Sequence, residues 1–279
     1  MALNLDIVGK VYEGTPRTYT RDDVILYALS IGAGVDELDF VYEKNLKIFP
    51  SFASVAGDLS FMYTMQDDVG AYLPTVLHGE QKMIFHKPIS PAGTMYSTGV
   101  INSVYDKGDN GAILNFVFVG KDEKGDVIHE SHFVIVDRSA GNFGGDRGPK
   151  MERFDPPEGV TPDFRVENVT SPNQAALYRL TGDKNPLHIE PDFAQKGGFE
   201  KPILHGMCTY GFTTRAIVHQ VCGGEPERLK SFAVRFMNVV YPGETLIMEG
   251  WKQEAGKYII RTSAQDGRVV LGNAVAEIG

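Results

Sequence analysis

The sequence predicts an α+β fold made of two similar halves. Three observations carry this prediction: one capped helix opens each half, strand-like segments follow each helix, and a Gly- and Pro-rich stretch separates the halves. Strands gathered after a single helix are typical of an antiparallel layer rather than of alternating βαβ units. The chain has 279 residues, which is long enough for two domains.

Each half opens with the pattern of a capped helix, over residues 20–32 and 171–182. In the second half, Ser171 and Gln174 have the spacing of a capping box, and Pro172 would occupy the first helical position. Both segments end at a glycine, which is the usual helix stop.

Three further pairs of segments repeat in the same order after the helices, and they indicate an internal duplication. The last two pairs contain turn signals that lead into alternating, β-branched runs. The pairs are Leu-His-Gly at 77–79 and 204–206, a Pro-containing turn at 89–94 and 240–245, and a Gly-containing turn at 124–128 and 266–270.

The second half has a long segment after its Leu-His-Gly triplet that the first half lacks. Residues 206–221 have the length of about four helical turns, and Gly223 and Gly224 would end that helix. We therefore expect the first-half sheet to have no helix of this kind on its concave face. The domain boundaries that we expect are 1–138 for the first half, 139–159 for a linker and 160–279 for the second half.

The composition excludes several classes of protein. A formal net charge of −9 argues against a general nucleic-acid binder. No apolar run is long enough to predict a membrane span, and the first residues lack the pattern of a secretory signal. Cys208 and Cys222 are too sparse for a disulfide framework or a zinc site, so a reducing, intracellular compartment fits best.

The densest group of polar residues lies in the loop from Thr181 to Pro191. Prolines stiffen this loop, and a carboxylate at Asp183 with an imidazole at His188 could hold and polarise one water molecule. A backbone N–H at the start of the following helix, near Gly206, would suit an oxygen that gains negative charge.

Two other interpretations of these residues stay open on the sequence. Asp183 could be only a turn residue and His188 could cap a strand. A metal site formed by imidazole and carboxylate groups is the second alternative, although the spacing matches no standard metal pattern. Its candidate ligands are His188, Glu190, Asp192 and His205.

Residues 181–188 together with 199–206 closely resemble the hydratase 2 motif of the MaoC-like family, which includes the hydratase domain of peroxisomal multifunctional enzyme type 2. Residues 77–81 resemble the first half of the same family. The resemblance implies a double hot-dog fold, with two antiparallel sheets joined edge to edge and a long central helix mainly in the C-terminal half. It also implies hydration of trans-2-enoyl-CoA to (3R)-3-hydroxyacyl-CoA without a metal or a redox cofactor.

The resemblance assigns roles to individual positions. The catalytic set would be Asp183, His188, Asn185 and Gly206, with Gly206 as the backbone oxyanion donor. The residues expected to contact the acyl-CoA are His78, Gly79, Lys107, Lys184, Pro186, Leu187 and Phe236. At the positions of the first half that would correspond to the catalytic pair stand Ala33 and Leu38, so we expect one site per chain and a non-catalytic first half that binds acyl-CoA.

The insert from Val41 to Pro74 suggests how the chain meets the acyl tail. Its bulky side chains could fill the first-half sheet, or part of the space could be a tunnel lined by flexible Met and aromatic residues. The candidates are Phe49, Phe52, Phe61, Met62 and Tyr63.

Alternatives to a hydratase are a dehydratase of a polyketide or steroid side-chain pathway, a thioesterase on the same fold, and a non-catalytic acyl-CoA- or sterol-binding module. The expected partner is an acyl-CoA thioester, and a homodimer is one option that the resemblance allows. We expect a cytoplasmic protein, with a peroxisomal location as the alternative if the chain derives from a larger enzyme.

Overall fold

Eleven strands in the part of the chain that the structure describes form one continuous antiparallel sheet. The computed structural model describes residues 3–57, 60–72, 76–150, 152–254 and 256–279. The strands are β1 (Val11–Glu13), β2 (Arg17–Tyr19), β3 (Val76–Phe85), β4 (Gly93–Asp106), β5 (Ala112–Lys121), β6 (Val127–Asp137), β7 (Phe164–Val169), β8 (Leu229–Phe236), β9 (Thr245–Glu254), β10 (Lys257–Ala264) and β11 (Val269–Ile278). The helices are α1 (Arg21–Ser30), α2 (Leu38–Val41), α3 (Ala53–Ala56), α4 (Ser60–Val69), α5 (Gln174–Tyr178), α6 (Pro191–Lys196) and α7 (Gly206–Gln220).

The order of the strands shows that the two halves repeat one plan. The first half runs β1-β4-β5-β6-β3 across the sheet, and the second runs β8-β11-β10-β9-β7, while β2 pairs with β4. The halves meet where β3 lies antiparallel to β8, with Gln81 opposite Val234 and Met83 opposite Phe232. This arrangement confirms the predicted double hot-dog fold, in which two antiparallel sheets join edge to edge.

Two of the repeated sequence segments are structurally equivalent. Pro91 precedes β4 as Pro242 precedes β9, so both prolines lie in the connection that follows the first inner strand of their half. Gly125 and Gly267 lie in the turns that join β5 to β6 and β10 to β11, with φ of 83° and 86°. This left-handed backbone favours glycine, which explains the repeated turn pattern.

The two Leu-His-Gly triplets are not equivalent, and the alignment that paired them was wrong. Residues 77–79 lie inside β3, whereas His205 precedes α7 as its N-cap and Gly206 is the first residue of the helix. A triplet carries no periodicity, so it cannot distinguish a strand from a helix terminus.

The long helix of the second half is present as predicted. Helix α7 has 15 residues, and most of them are buried on every side, as expected of a helix that a sheet surrounds. Tyr210 of α7 donates a hydrogen bond to the carbonyl of Phe232 on β8 at 2.9 Å. Gly223 and Gly224, both with positive φ, follow its end.

The expectation that the first half lacks such a helix was wrong. Helix α4, of 10 residues, lies before β3 as α7 lies before β8. Its Phe61, Met65 and Val69 recur at the spacing of one helix face and pack with first-half core residues such as Ile101 and Phe116. The match between the two triplets points to the segment after Gly79, whereas α4 lies before β3.

The insert residues divide between the core and the wall of a cavity, and an acyl tunnel at that wall stays a prediction. Phe49 and Phe52 belong to the core that surrounds α7, whereas Phe61, Met62 and Tyr63 line a cavity described below. The predicted end of the insert, Pro74, lies outside the described residues.

The helix that opens each half was predicted with unequal accuracy. For α1, Thr20 and Asp23 form a complete capping box, and Gly32 follows with φ of 85°. The second-half helix is shorter than expected, because α5 begins only at Gln174 and continues as a 3-10 turn to Thr181. Pro172 therefore lies in a turn before the helix rather than at its first position.

The connection between the halves runs over the surface. The described residues between 139 and 159 form no helix or strand. Asp106 accepts backbone hydrogen bonds from Asn142 and Gly144 at 2.9 and 2.7 Å, and the N–H of Phe154 donates to Asn273 at 2.7 Å. The exact boundaries of the halves stay a prediction. Among the helices of the described segments, none has the length and apolar character needed to cross a membrane.

Candidate active site

A cavity of about 550 Å³ lies between the two halves, near the junction of β3 and β8. Both halves contribute to its walls. The sequence-predicted site residues that line it are His78, Gly79, Asp183, Asn185, Leu187, His188, Gly206 and Phe236. Lys107, Lys184 and Pro186 are not among the lining residues.

The loop that carries Asp183 is held by hydrogen bonds within itself. Asp183 accepts from the backbone N–H of Asn185 at 3.0 Å, and Asn185 in turn accepts from the N–H of Leu187 at 3.0 Å. Asn185 caps the 3-10 turn Pro186–His188. The Asp-x-Asn-Pro-x-His pattern thus fixes Asp183 and His188 relative to each other by short-range bonds alone.

The imidazole of His188 is buried, with 8% of its surface exposed. Its Nδ1–H donates to the carbonyl of Ile203 at 2.9 Å, which leaves Nε2 as a hydrogen-bond acceptor. Burial lowers the pKa of His188 below 6.5, although the negative charge of Asp183 opposes that shift. His188 is therefore a neutral imidazole with a free acceptor nitrogen near pH 7.

His205 is a further residue of this site, which the sequence suggested only as part of a metal group. Its ring stacks on that of His188, and its Nε2 lies 3.3 Å from the carbonyl oxygen of Asp183. Burial, and next the neighbouring His188, lower the pKa of His205 to about 2. The neutral His205 ring therefore contacts the backbone of the Asp183 loop without adding a charge to the site.

Asp183, His188 and His205 form one compact cluster, in which a carboxylate oxygen of Asp183 and one ring nitrogen of each histidine lie within 4.8 Å of one another. Glu190 and Asp192, which the metal interpretation added, are exposed and do not belong to this cluster. The structure thus brings together a carboxylate and an acceptor imidazole at one wall of the cavity.

Helix α7 begins at this wall. Gly206 is its first residue, and the N-cap His205 makes no side-chain bond to the first turn. The first amides of a helix have no partner within the helix, and they lie at the positive end of its dipole. A Cβ at Gly206 would come within 2.9 Å of the Phe236 ring, so a larger residue here would require that ring to shift.

His78 and Gly79 of β3 also line the cavity. Nε2 of His78 lies 3.1 Å from the carbonyl oxygen of Glu80, and burial lowers its pKa to about 3. Its ring packs against Phe133 and Phe236, with centroids 4.0 and 4.4 Å apart. Gly79 has no partner in the β3–β6 register, which marks a β-bulge at this position.

Tyr63, on α4 of the first half, lines the same cavity as Asp183. Burial raises its pKa to about 12, and the charge of Asp183 adds to the shift. Sequence reasoning placed Tyr63 in the insert without linking it to the polar loop. Only the fold, which places Tyr63 and Asp183 in the lining of one cavity, shows this proximity.

The two lysines of the predicted site lie elsewhere. Lys107 is in the turn after β4, where its ammonium donates to the carbonyl of Arg147 and lies 5.7 Å from the ring centroid of Tyr105. Lys184 is exposed beside Asp183. Their contribution to acyl-CoA binding stays a prediction.

Comparison with known proteins identifies both halves. Residues 18–139 match the family described as MFE-2 hydratase 2 N-terminal domain, and residues 153–273 match the family described as MaoC like domain. The chain is 37% identical to a probable enoyl-CoA hydratase 2 of Dictyostelium discoideum over 93% of this chain and 90% of that protein. It is also 37% identical to peroxisomal multifunctional enzyme type 2 of Mus musculus, over 97% of this chain but 38% of the mouse protein.

The fold has a counterpart among solved structures. A MaoC-like dehydratase from Phytophthora capsici superimposes with a TM-score of 0.88 at 30% sequence identity. The match covers 99% of this chain and 98% of that one.

Proposed function

Since this chain belongs to the MaoC-like family, with a first half of the MFE-2 hydratase 2 type, we propose that it is an enoyl-CoA hydratase 2, a hydro-lyase. The reaction is the reversible hydration of trans-2-enoyl-CoA to (3R)-3-hydroxyacyl-CoA. The observation that carries the proposal is the cluster of Asp183, His188 and His205 beside the first residue of α7.

The first step in the proposed mechanism is the capture of water. The Asp183 carboxylate and Nε2 of His188 can both accept a hydrogen bond, so one water molecule could donate to both at once. Its oxygen would bond to C3 of the enoyl group as the water gives up a proton, and a proton would be returned to C2. Asn185 would keep the pair in place through the loop that it caps.

The second step is the stabilisation of charge on the thioester oxygen. Addition at C3 transfers negative charge to that oxygen, and the Gly206 N–H at the start of α7 is a preorganised donor for it. The 15-residue helix contributes the positive end of its dipole at the same point.

The acyl chain would extend into the first half. Helix α4 is shorter than α7, and its Met62 and Tyr63 line the cavity rather than filling it. The rings of His78, Phe133 and Phe236 contact one another and would line the path of the chain.

The test is the loss of enoyl absorbance when the protein is mixed with trans-2-enoyl-CoAs of different lengths. We expect a product that a (3R)-specific hydroxyacyl-CoA dehydrogenase oxidises and a (3S)-specific enzyme does not. Retained acyl-CoA binding without any change in absorbance would support the non-catalytic binding module instead. A dehydratase role uses the same site in the reverse direction, and incubation with the hydroxyacyl-CoA would measure it.

Two further proposals accompany this function. A homodimer is expected to be visible as twice the chain mass in light scattering.

We keep the cytoplasm as the expected location, although the name of the mouse relative includes the word peroxisomal.

A further inference from the structure

Arg17 is a half-buried residue of β2 in the first half, and its guanidinium contacts three backbone carbonyls. Its Nη1 donates to the carbonyls of Val55 and Gly57, the second of these at 3.2 Å. Its Nη2 donates to the carbonyl of Thr181, in the second half, at 3.3 Å. A guanidinium carries five N–H donors in one rigid plane, so a single arginine can hold several carbonyls in a defined arrangement.

The carbonyls that Arg17 contacts lie at the ends of helical segments. Val55 is in the last turn of α3 and Gly57 is the C-cap of that helix. Thr181 is the last residue of the 3-10 turn that extends α5. The last carbonyls of a helix have no partner within it, and a positively charged side chain is a favourable donor to them. Arg17 thus joins two helical ends that belong to different halves of the chain.

The backbone of Arg17 is held by the first half. Arg17 lies opposite Met95 of β4 in the antiparallel register. Two residues further along β2, the buried ring of Tyr19 packs edge-to-face on that of Phe52, with centroids 5.3 Å apart. The origin of the Arg17 side chain is therefore fixed independently of the catalytic loop in the second half.

Thr181, the second-half partner of Arg17, stands directly before the catalytic loop. Only Gly182 separates it from Asp183, and Gly182 has φ of 148°, a conformation that favours glycine. The hydrogen bonds within the loop hold the chain after Asp183, whereas Arg17 holds the chain before it. A shift of the Thr181 carbonyl is therefore transmitted to Asp183 across one intervening residue.

The start of the helix that leads to this loop also rests on the first half. Gln174, the first residue of α5, donates to the carbonyl of Ser30 at the end of α1 at 2.7 Å, and both residues are buried. The rings of Tyr27 on α1 and Tyr178 on α5 have centroids 6.2 Å apart. Contacts from the first half therefore hold the segment that precedes Asp183 at its beginning and at its end.

We propose that Arg17 is a positioning residue for the Asp183 carboxylate. Arg17 is not among the residues that line the cavity, so it acts through the Thr181 carbonyl rather than on the substrate. This inference rests on the proposed hydratase function. It gives the first half a task in catalysis that is separate from the expected binding of acyl-CoA.

The first experiment measures the hydration of crotonyl-CoA by Arg17→Met, which removes the guanidinium but keeps an aliphatic side chain. We expect kcat to fall about tenfold to hundredfold, because a small displacement of a reacting group lowers the rate strongly. KM should change by less than about twofold, since an interaction made only in the transition state does not contribute to substrate binding. Arg17→Lys retains the positive charge and should recover part of the lost kcat.

Arg228→Met is the matched control. Arg228 also donates to two backbone carbonyls, those of Cys222 and Gly279 at 3.3 and 3.1 Å, and it does not line the cavity. Its replacement should lower the thermal unfolding midpoint but leave kcat unchanged. Equal losses of kcat in Arg17→Met and Arg228→Met would show that Arg17 acts only through general stability.

The second experiment follows the catalytic loop without using activity. The amides of Asn185 and Leu187 donate to side chains of the same loop, so their hydrogen exchange reports how often the loop opens. Their exchange should be faster in Arg17→Met than in the unmodified protein, and intermediate in Arg17→Lys. Arg228→Met should exchange these two amides at the unmodified rate.

The outcomes separate the two proposals. If the unmodified protein hydrates no enoyl-CoA, the proposed function fails, and hydrogen exchange alone decides whether Arg17 holds the loop. If the protein is an active hydratase and Arg17→Met changes neither kcat nor exchange, only the positioning role is overturned. A raised KM at unchanged kcat would also overturn it, because Arg17 would then support the cavity wall at Val55 and Gly57.

Discussion

The imidazole rings of His188 and His205 stack on one another, with centroids 3.7 Å apart and planes inclined by 29°. Burial disfavours a positive charge on either ring, and two charged rings at this distance would also repel each other. The pKa of His205 falls to about 2, and that of His188 lies below 6.5. The stack therefore keeps Nε2 of His188 available as a base in neutral solution.

The first prediction concerns the pH dependence of hydration. Only neutral His188 can accept a proton, and its pKa is lowered, so activity should persist as the pH falls through 6.5 and decline only below that value. The measurement is kcat/KM from about pH 4.5 to 8. His86→Asn removes an exposed histidine and should leave the profile unchanged. A midpoint at or above pH 6.5 would show that the pKa of His188 is not lowered in the folded protein.

The second prediction concerns the catalytic pair. Asp183→Asn and His188→Gln retain volume but remove the ionisable groups, so each should lower turnover by about 10²–10⁴-fold. The double variant should be little worse than either single one, because both residues act on one water molecule. Asp192→Asn, an exposed carboxylate on α6, is the matched control. Near-normal hydration by either single variant would refute the assignment.

The third prediction concerns Lys107, which lies outside the cavity wall. If its ammonium leaves the Arg147 carbonyl to bind a phosphate of CoA, Lys107→Ala should raise KM and leave kcat nearly intact. The effect should shrink as salt rises, because an exposed charge contact is screened. Lys124→Ala, in the turn between β5 and β6, provides a surface control. An unchanged KM at low salt would show that Lys107 is a solvated surface charge that does not bind CoA.

The fourth prediction concerns chain length. Since α4 leaves room beside Met62 and Tyr63, medium and long enoyl-CoAs should exceed crotonyl-CoA in kcat/KM, with up to about 0.8 kcal/mol per buried methylene. Met62→Trp should narrow the cavity and reduce kcat/KM for the long substrates only. A steep decline beyond the shortest substrates in the unmodified protein would mean that the first half admits no tail.

Local patterns predicted those parts of the molecule that local forces determine. The capping box of Thr20 and Asp23 and the turn glycine Gly125 each act within a few residues, and each was found as expected. Helix α7 was also predicted, because its length and its glycine stop are visible in the sequence. The Asp183 loop belongs to the same class, since its hydrogen bonds join neighbours in the chain.

The features that sequence reasoning missed depend on contacts between distant segments. His205 belongs to the site because its ring meets that of His188, and no pattern around Gly206 indicates this stack. Helix α4 is not indicated by the three-residue match, because Gly79 lies inside β3 whereas Gly206 begins a helix. Gln66 and His129 line one cavity because a helix and a strand of the first half meet there in the fold.

Glu37 links the first half to the far end of the helix that begins at the active site. It receives hydrogen bonds from His219 at 2.6 Å and from Nε of Arg215 at 2.9 Å, both on α7. Burial alone would raise the pKa of Glu37, but these two partners outweigh it and lower the pKa from 4.5 to about 2. The carboxylate is 14% exposed, so solvent screens the interaction only in part.

The fifth prediction follows from this shift. A carboxyl group whose pKa is lowered on folding stabilises the folded state above its unfolded pKa, and the contribution is lost as the pH falls through the folded value. For Glu37 the contribution should be complete above about pH 4.5 and decline toward pH 2, with a size on the order of 3 kcal/mol. Urea unfolding of Glu37→Gln and the unmodified protein should therefore differ most near neutral pH and converge in acid. Asp126→Asn breaks an exposed pair with Lys87 and should leave the unfolding free energy nearly unchanged. An equal difference at pH 7 and at about pH 3 would show that Glu37 stabilises α7 by packing rather than by its charge.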